Sequence, residues 1–293
     1  MNQRSRKLLP SRLCNFFKVI YSIFWLTRIT ITIPILLAGI CAFILCNSLT
    51  YSLNSILLIL IPCLVAASGF ILNDIVDVEK DKINRSDRPL PSNSISLRMA
   101  YILFFILFFS SIILMIRIND PKVFYLFLLA TILTMSYSAI NKYNGVLGNI
   151  VTAMLSIGPW LAPALYTHQL NVVVVPALAS FCLIFSREIL LDIKDMPGDR
   201  ISQFQTLPVL FGSSFASIIS FIIMVITNII VITYGVIHEY SIWYFLLIFV
   251  GFIIPSVLLL KFIVTKKLTD NIDMICNIGK LQFIIGLICL VVK

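Results

Sequence analysis

The chain is 293 residues long; 60% of its residues are hydrophobic, 12% are charged, and its mean hydropathy is +1.04. This composition excludes an ordinary soluble globule, because the apolar surplus would have to face water. The formal net charge of +9 could indicate nucleic-acid binding, but basic residues in a polytopic membrane protein usually report its orientation. We therefore expect a multi-pass protein of the lipid bilayer with no nucleic-acid partner.

Nine apolar stretches are long enough to cross a bilayer as helices, since about 20 residues span the hydrocarbon core. They cover residues 29–46, 53–73, 97–117, 122–140, 146–166, 172–191, 210–236, 241–261 and 274–292. The sequence therefore predicts an all-α membrane protein with nine transmembrane helices. The chain divides into pseudo-repeat halves, about 29–140 and 146–261, followed by a last helix at 274–292.

The second predicted span ends in an acidic cluster that contains Asn73, Asp74, Asp77 and Asp81. At about 100° per helical residue, these four positions fall within an arc of roughly 100° if the helix continues. Their side chains would then point together. A basic, proline-containing loop follows the cluster and leads to the third span.

A second acidic cluster contains Asp192, Asp195 and Asp199, each 118 positions after its counterpart in the first cluster. Glu188 falls on the same face, and the four residues span about 60° of a continuous helix. The Pro197-Gly198 pair is expected to loosen the last turn, which would place Asp199 on a loop. Each predicted half thus delivers one acidic face.

Six aspartates that face one cavity would repel one another unless positive charge lies among them. Mg²⁺ suits this role, because it takes oxygen ligands, uses one or two carboxylates and keeps positions for water and phosphate oxygens. Such ions would stabilise the charge on a departing diphosphate. A diphosphate carried on an apolar tail also explains the membrane setting, which indicates a prenyl diphosphate donor. The basic residues expected to bind the diphosphate are Arg85, Arg88, Lys142, Lys194 and Arg200.

The motifs N-D-x-x-D-x-x-x-D and D-x-x-D-x-x-x-D, the R-P-L-P-S loop and the nine spans resemble the UbiA superfamily of intramembrane prenyltransferases. The resemblance covers nearly the whole chain and implies one domain over residues 1–293, with the helices bundled around a central cavity. It also implies Mg²⁺-dependent transfer of a prenyl group from a polyprenyl diphosphate to a lipophilic acceptor, with release of diphosphate. The acceptor would be an aromatic quinone precursor or a glyceryl phosphate.

The resemblance further implies roles for individual residues. The expected metal ligands are Asn73, Asp74, Asp77, Asp81, Asp192, Asp195 and Asp199. The expected catalytic residues are Asp77, Asp81, Asp195, Asp199 and Lys142. The residues expected to line the cavity or contact the acceptor are Arg28, Tyr137, Asn149 and Glu188. Asn93 stands where many members of the superfamily have glycine after the R-P-x-P-S run.

The lysine and arginine residues indicate how the chain is oriented. Of the 22, 18 fall in residues 1–28 and in four loops on the same side of the predicted bundle. The positive-inside rule makes that side cytoplasmic. We therefore expect the N-terminus and the mouth of the site to face the cytoplasm, in a bacterial or archaeal plasma membrane.

Two other functions use similar residues and remain alternatives. Ion-coupled transporters also combine internal repeats with acidic residues, although here the acids lie at the ends of the predicted helices. Enzymes that transfer a phosphoalcohol from a CDP-linked lipid also use Mg²⁺ and membrane aspartates. These enzymes normally carry one compact Asp-Gly/Gly/Asp run in a single helix, which this sequence lacks.

Overall fold

The computed structural model describes residues 11–50 and 52–292, and the regular secondary structure in these residues is helical throughout. The helices are α1 Ser11–Leu26, α2 Ile29–Leu45, α3 Leu53–Val76, α4 Val78–Asn84, α5 Leu97–Ile116, α6 Pro121–Tyr143, α7 Gly145–Leu155, α8 Gly158–Tyr166, α9 Leu170–Ile201, α10 Leu207–Phe211, α11 Ser213–Ile237, α12 Ile242–Ile248, α13 Ile254–Val264 and α14 Ile272–Val291. A π-helical turn, Phe249–Ile253, joins α12 to α13, and a 3-10 turn, Thr269–Asn271, precedes α14.

The described helices confirm an all-α membrane protein. Within residues 11–50 and 52–292, eight helical segments are long and apolar enough to span a bilayer, and a bent pair raises the number to nine. In that pair, Lys18–Leu26 and Ile29–Leu45 meet at 52°. The bend lies at Arg28, whose left-handed backbone (φ 46°, ψ 56°) interrupts the helix.

Helices α3 and α9, which hold the acidic residues Asp74 and Asp192, lie at the centre of the packing. Helix α3 contacts α2, α5, α6 and α8, and α9 contacts α7, α8, α11 and α14. By contrast, α5 and α6 expose most of their apolar surface, as helices that face lipid do. The acidic side chains therefore lie near the core of the bundle. The division into pseudo-repeat halves stays a prediction.

The structure corrects the expected helix boundaries at both clusters. Helix α3 ends at Val76, and Asp77 is a turn residue (φ −92°, ψ 11°) before α4 begins. In the second cluster, α9 continues through Pro197-Gly198 to Ile201, so Asp199 lies on the helix and not on a loop. Proline normally disfavours the helix interior, but Asp199 is buried and paired with Lys80, and this tertiary contact stabilises the last turn.

Gly145, the first residue of α7, packs directly against the backbone that follows α9. A Cβ atom at this position would lie 2.7 Å from Thr206 Cα and 3.0 Å from the Gln205 carbonyl oxygen. We expect Gly145→Ala to lower the free energy of unfolding by about 1–3 kcal/mol, because backbone atoms cannot move aside as a flexible side chain can. Thermal unfolding of the purified protein in detergent micelles measures the effect.

Gly158, the first residue of α8, provides the matched control. A Cβ atom there would meet no atom within 4 Å. We expect Gly158→Ala to leave the unfolding temperature unchanged or to raise it slightly, since alanine reduces the freedom of the unfolded chain. Equal unfolding temperatures for the two variants would contradict the tight packing at Gly145.

Candidate active site

The first acidic cluster surrounds the junction of α3 and α4. Asp74 is buried, and its Oδ1 accepts hydrogen bonds from Arg28 at 2.8 Å and from Arg88 at 3.1 Å. Arg88 also forms an ion pair with Asp81 of α4. A single guanidinium group therefore joins both ends of the cluster, so Asp74 and Asp81 face the same space although the helix breaks between them.

The second cluster occupies the last turns of α9 and contacts α7. Asn149 Nδ2 of α7 donates a hydrogen bond to Asp192 Oδ2 at 2.7 Å, and Asn149 itself is buried. Tyr137 of α6 lies close enough to Asp192, Glu188 and Arg28 to interact electrostatically with each of them. Arg28, Tyr137 and Glu188, three of the residues expected to line the cavity, therefore lie close together, and Asn149 contacts the second cluster.

Two basic side chains connect the clusters directly. Lys80 of α4 places its Nζ 2.8 Å from Asp199 Oδ1, and its ammonium lies 4.2 Å from the centre of the Phe204 ring. Arg85, just after α4, forms a bidentate ion pair with Asp195, in which Nε lies 3.3 Å from Oδ1. The two acidic clusters therefore lie within one side-chain length of each other at the same end of the bundle.

Burial changes the charge balance of the first cluster. It raises the pKa of Asp77 to about 6; the charge of Lys80 opposes this shift, whereas the charges of Asp81 and Asp74 add to it. Burial also raises the pKa of Asp81. For Lys80, burial lowers the pKa, but the ion pair with Asp199 and the charges of Asp77 and Asp195 together outweigh burial, and the net shift is upward. Asp77 takes part in none of the ion pairs formed by the described residues.

The donor set fits Mg²⁺. Four cations, Arg28, Lys80, Arg85 and Arg88, accompany the six aspartates, so Asp77 and Asp192 are left without a cation partner among the described residues. No group of three or more His, Cys, Asp or Glu residues in the described ranges is already gathered for one ion. Mg²⁺ does not require such a group, because one or two carboxylates suffice when water and phosphate oxygens complete its shell.

The other predicted residues lie in several environments. Asn73 Oδ1 accepts a hydrogen bond from Ser138 at 3.0 Å, which keeps its amide beside the first cluster. Lys194 pairs with Asp273 of α14 and not with an aspartate of the clusters. Lys142 and Arg200 are exposed, and the structure shows no ion pair for either side chain in the described residues. The diphosphate-binding roles of these three basic residues stay predictions.

Sequence reasoning missed Lys80 as a site residue, although it lies inside the first motif. The available signal was its position, three residues after Asp77 and one before Asp81. Such a lysine on a short helix looks like a solvated residue, and only the packing of α4 against α9 reveals its partner. Asn93, in contrast, is explained by its backbone, because its φ of 55° is a left-handed conformation that glycine or asparagine tolerates.

Comparison with known proteins identifies the family of this chain. Residues 32–277 match the model of the UbiA prenyltransferase family. The chain is 33% identical over 207 residues to the digeranylgeranylglyceryl phosphate synthase of Methanosphaera stadtmanae, covering 70% of this chain and 75% of that protein.

Solved structures share the fold. A UbiA homologue from Aeropyrum pernix K1 without ligand superposes with a TM-score of 0.70 at 18% identity, over 90% of this chain and 98% of that one. A UbiA homologue from Archaeoglobus fulgidus bound to DMAPP and Mg²⁺ superposes with a TM-score of 0.58 at 20% identity, over 93% and 100% of the two chains. The chain described here is an integral membrane protein that belongs to the UbiA prenyltransferase family.

Proposed function

We propose that this protein transfers a prenyl group from a prenyl diphosphate to a lipophilic acceptor in the membrane, with Mg²⁺ as cofactor. The proposal depends on two ion pairs, Lys80 with Asp199 and Arg85 with Asp195. Together they connect the acidic cluster of α3–α4 with that of α9. This arrangement places oxygen donors and cations around one space at the end of an apolar bundle. A prenyl diphosphate is complementary to this arrangement, because its charged head suits the polar end and its apolar tail suits the bundle.

The residues divide into metal ligands and diphosphate donors. Asp77 and Asp192, one from each cluster, would hold Mg²⁺ together with the neighbouring carboxylates and Asn73. The bound metal would supply Lewis-acid stabilisation of the leaving diphosphate. When substrate enters, Lys80 and Arg85 can exchange their aspartate partners for diphosphate oxygens, because charge-assisted hydrogen bonds to phosphate have the same geometry as those to carboxylate.

The part of the site that faces the membrane interior would surround the allylic carbon of the prenyl donor during its reaction. Helices α3, α6 and α9, and α7 together with α8, are apolar enough to span a membrane, and their apolar side chains would exclude water from the carbocation-like species that forms as the carbon–oxygen bond of the donor breaks. The acceptor hydroxyl or ring carbon would then attack that carbon and lose a proton. The name of the Methanosphaera relative supports a glyceryl phosphate lipid as acceptor.

Charge supports a cytoplasmic location for the mouth of the site. The basic residues that bridge the clusters belong to the 18 lysines and arginines that the sequence places on one side of the membrane. We place the N-terminus on the same side. This orientation gives the diphosphate head direct access to cytoplasmic Mg²⁺.

The proposed reaction is tested with purified protein in lipid vesicles. We expect product when prenyl diphosphates of increasing length are offered with aromatic and glyceryl phosphate acceptors, as identified by mass. Addition of EDTA should abolish turnover and excess Mg²⁺ should restore it, because the diphosphate leaves poorly without metal. Metal-independent turnover would contradict the cofactor assignment, and ion flux without any prenyl donor would favour a transporter.

A further inference from the structure

Lys280 lies within a membrane span, and no described carboxylate pairs with it. It is eight residues into α14, and its Nζ contacts only the amide oxygen of Asn277, at 3.3 Å, among the polar groups of the described residues. Three other basic side chains, Arg187, Lys194 and Arg85, are close enough to repel its ammonium group. A cation in this position is costly unless an anion approaches it.

Helical spacing explains why these side chains meet. Lys280 lies seven residues after Asp273 on α14, and Arg187 lies seven residues before Lys194 on α9. Seven residues are about two turns, so each pair shares one helix face. The Lys194–Asp273 ion pair shows that these two faces oppose each other. Lys280 is therefore directed towards Arg187, about 10 Å further into the membrane than that ion pair.

The neighbouring cations already have counter-ions, but Lys280 has none among the described residues. Arg187 Nη1 lies 2.9 Å from Glu188 Oε1, while Lys194 and Arg85 pair with Asp273 and Asp195. Arg187 Nε is buried and has no hydrogen-bond partner within the described ranges. The space between α9 and α14 thus has one uncompensated positive charge and one unused guanidinium donor.

Gly279 makes room for this arrangement. A Cβ atom on Gly279 would lie 3.4 Å from Arg187 Cδ, so the arginine side chain passes directly over the glycine. Asp273, the one carboxylate on α14, lies about 10 Å from Lys280 along the helix and pairs with Lys194, so it does not supply the missing counter-ion. An anionic ligand between α9 and α14 would account for both the uncompensated charge of Lys280 and the unused donor of Arg187.

We propose that Lys280 and Arg187 bind the phosphate group of a phosphomonoester acceptor, separately from the diphosphate of the donor. This inference rests on the proposed prenyl transfer and names the acceptor class for the same site. Donor diphosphate and acceptor phosphate repel each other, so each requires its own cations. The glyceryl hydroxyl that attacks lies about 5 Å from its own phosphate, from the length of the intervening bonds. A phosphate held next to the second acidic cluster would place this hydroxyl near the donor carbon.

The test compares Lys280→Gln with the wild-type protein in vesicles, using geranylgeranylglyceryl phosphate and the same lipid without its phosphate. We expect the KM for the phosphorylated acceptor to rise at least about tenfold, because the substitution removes one charge-assisted hydrogen bond to the phosphate. The KM for the prenyl diphosphate should not change, and Lys280→Arg should restore most of the acceptor affinity. Lys261→Gln, which alters an exposed lysine in the last turn of α13, is the matched control and should behave as wild type.

Direct binding separates this inference from the proposed function. Fluorescent geranylgeranylglyceryl phosphate is titrated onto each protein without donor or Mg²⁺, after thermal unfolding has shown that the variants are folded. The wild-type protein should prefer the phosphate over the alcohol, and Lys280→Gln should lose that preference. An unchanged preference in Lys280→Gln overturns the inference even if prenyl transfer is confirmed. Preferential binding in a protein that transfers no prenyl group would instead contradict the proposed function alone.

Discussion

Replacement of Asp77 by asparagine is expected to lower turnover at least about a hundredfold, and Asp192→Asn should have the same effect. Each change removes a carboxylate that has no cation partner among the described residues and that we assign to Mg²⁺. Loss of a metal ligand removes several kcal/mol of transition-state stabilisation, and about 1.4 kcal/mol corresponds to a factor of ten in rate. Initial rates at saturating donor and acceptor measure the effect.

The dependence on Mg²⁺ concentration distinguishes a ligand from a residue that matters for another reason. We expect both variants to require more Mg²⁺ for half-maximal activity than the wild-type protein, because an amide oxygen is a weaker ligand than a carboxylate. Asp87→Asn provides the control, since Asp87 is exposed in the loop after α4. Wild-type rates in Asp77→Asn would rule out our assignment of this residue.

The membrane spans and the repeated acidic clusters were predictable from the sequence because they depend on local properties. The length of an apolar stretch determines whether it spans a bilayer, and helical periodicity determines which side chains share a face. The offset of 118 residues located both clusters in the sequence, and the structure places the first at the junction of α3 and α4 and the second at the end of α9. Family membership followed from the same motifs.

The details of the site were not predictable because they depend on tertiary contacts. The turn at Asp77 and the continuous helix through Pro197 reverse the local expectations, since the packing of α4 against α9 decides both. Lysine partners are equally hidden, because a long flexible side chain reaches several helix faces. Lys80 pairs with Asp199 across the site, whereas Lys194 turns away from the aspartates towards Asp273.

Asp74 has different surroundings from Asp77, although both belong to the first motif. Asp74 is only 3% exposed and accepts hydrogen bonds from both Arg28 and Arg88. Arg28 joins α1 to α2 and also lies 4.8 Å from the centre of the Phe70 ring. We therefore infer that Asp74 connects the first two helices to the loop after α4. We expect this structural role to be more important than any contact with metal.

Asp74→Asn is accordingly expected to lower the free energy of unfolding by about 3 kcal/mol, because removal of one partner of a buried ion pair leaves uncompensated charge. Arg88 keeps Asp81 as a partner, so the main loss is at Arg28. Asp77→Asn should leave stability unchanged or raise it. The pKa of Asp77 is raised to about 6 by burial, so above that pH its ionised form destabilises the folded protein, and a neutral amide removes this penalty.

Thermal unfolding of both variants in detergent at pH 7 without Mg²⁺ tests this contrast. A lower unfolding temperature for Asp74→Asn than for Asp77→Asn supports the structural role, because the two substitutions are chemically identical and lie three residues apart. If Asp74→Asn unfolds at the same temperature as the wild-type protein and yet requires a higher Mg²⁺ concentration for activity, Asp74 is a metal ligand, as the motif predicts. In that case, binding of metal and substrate would break the ion pair between Asp74 and Arg28.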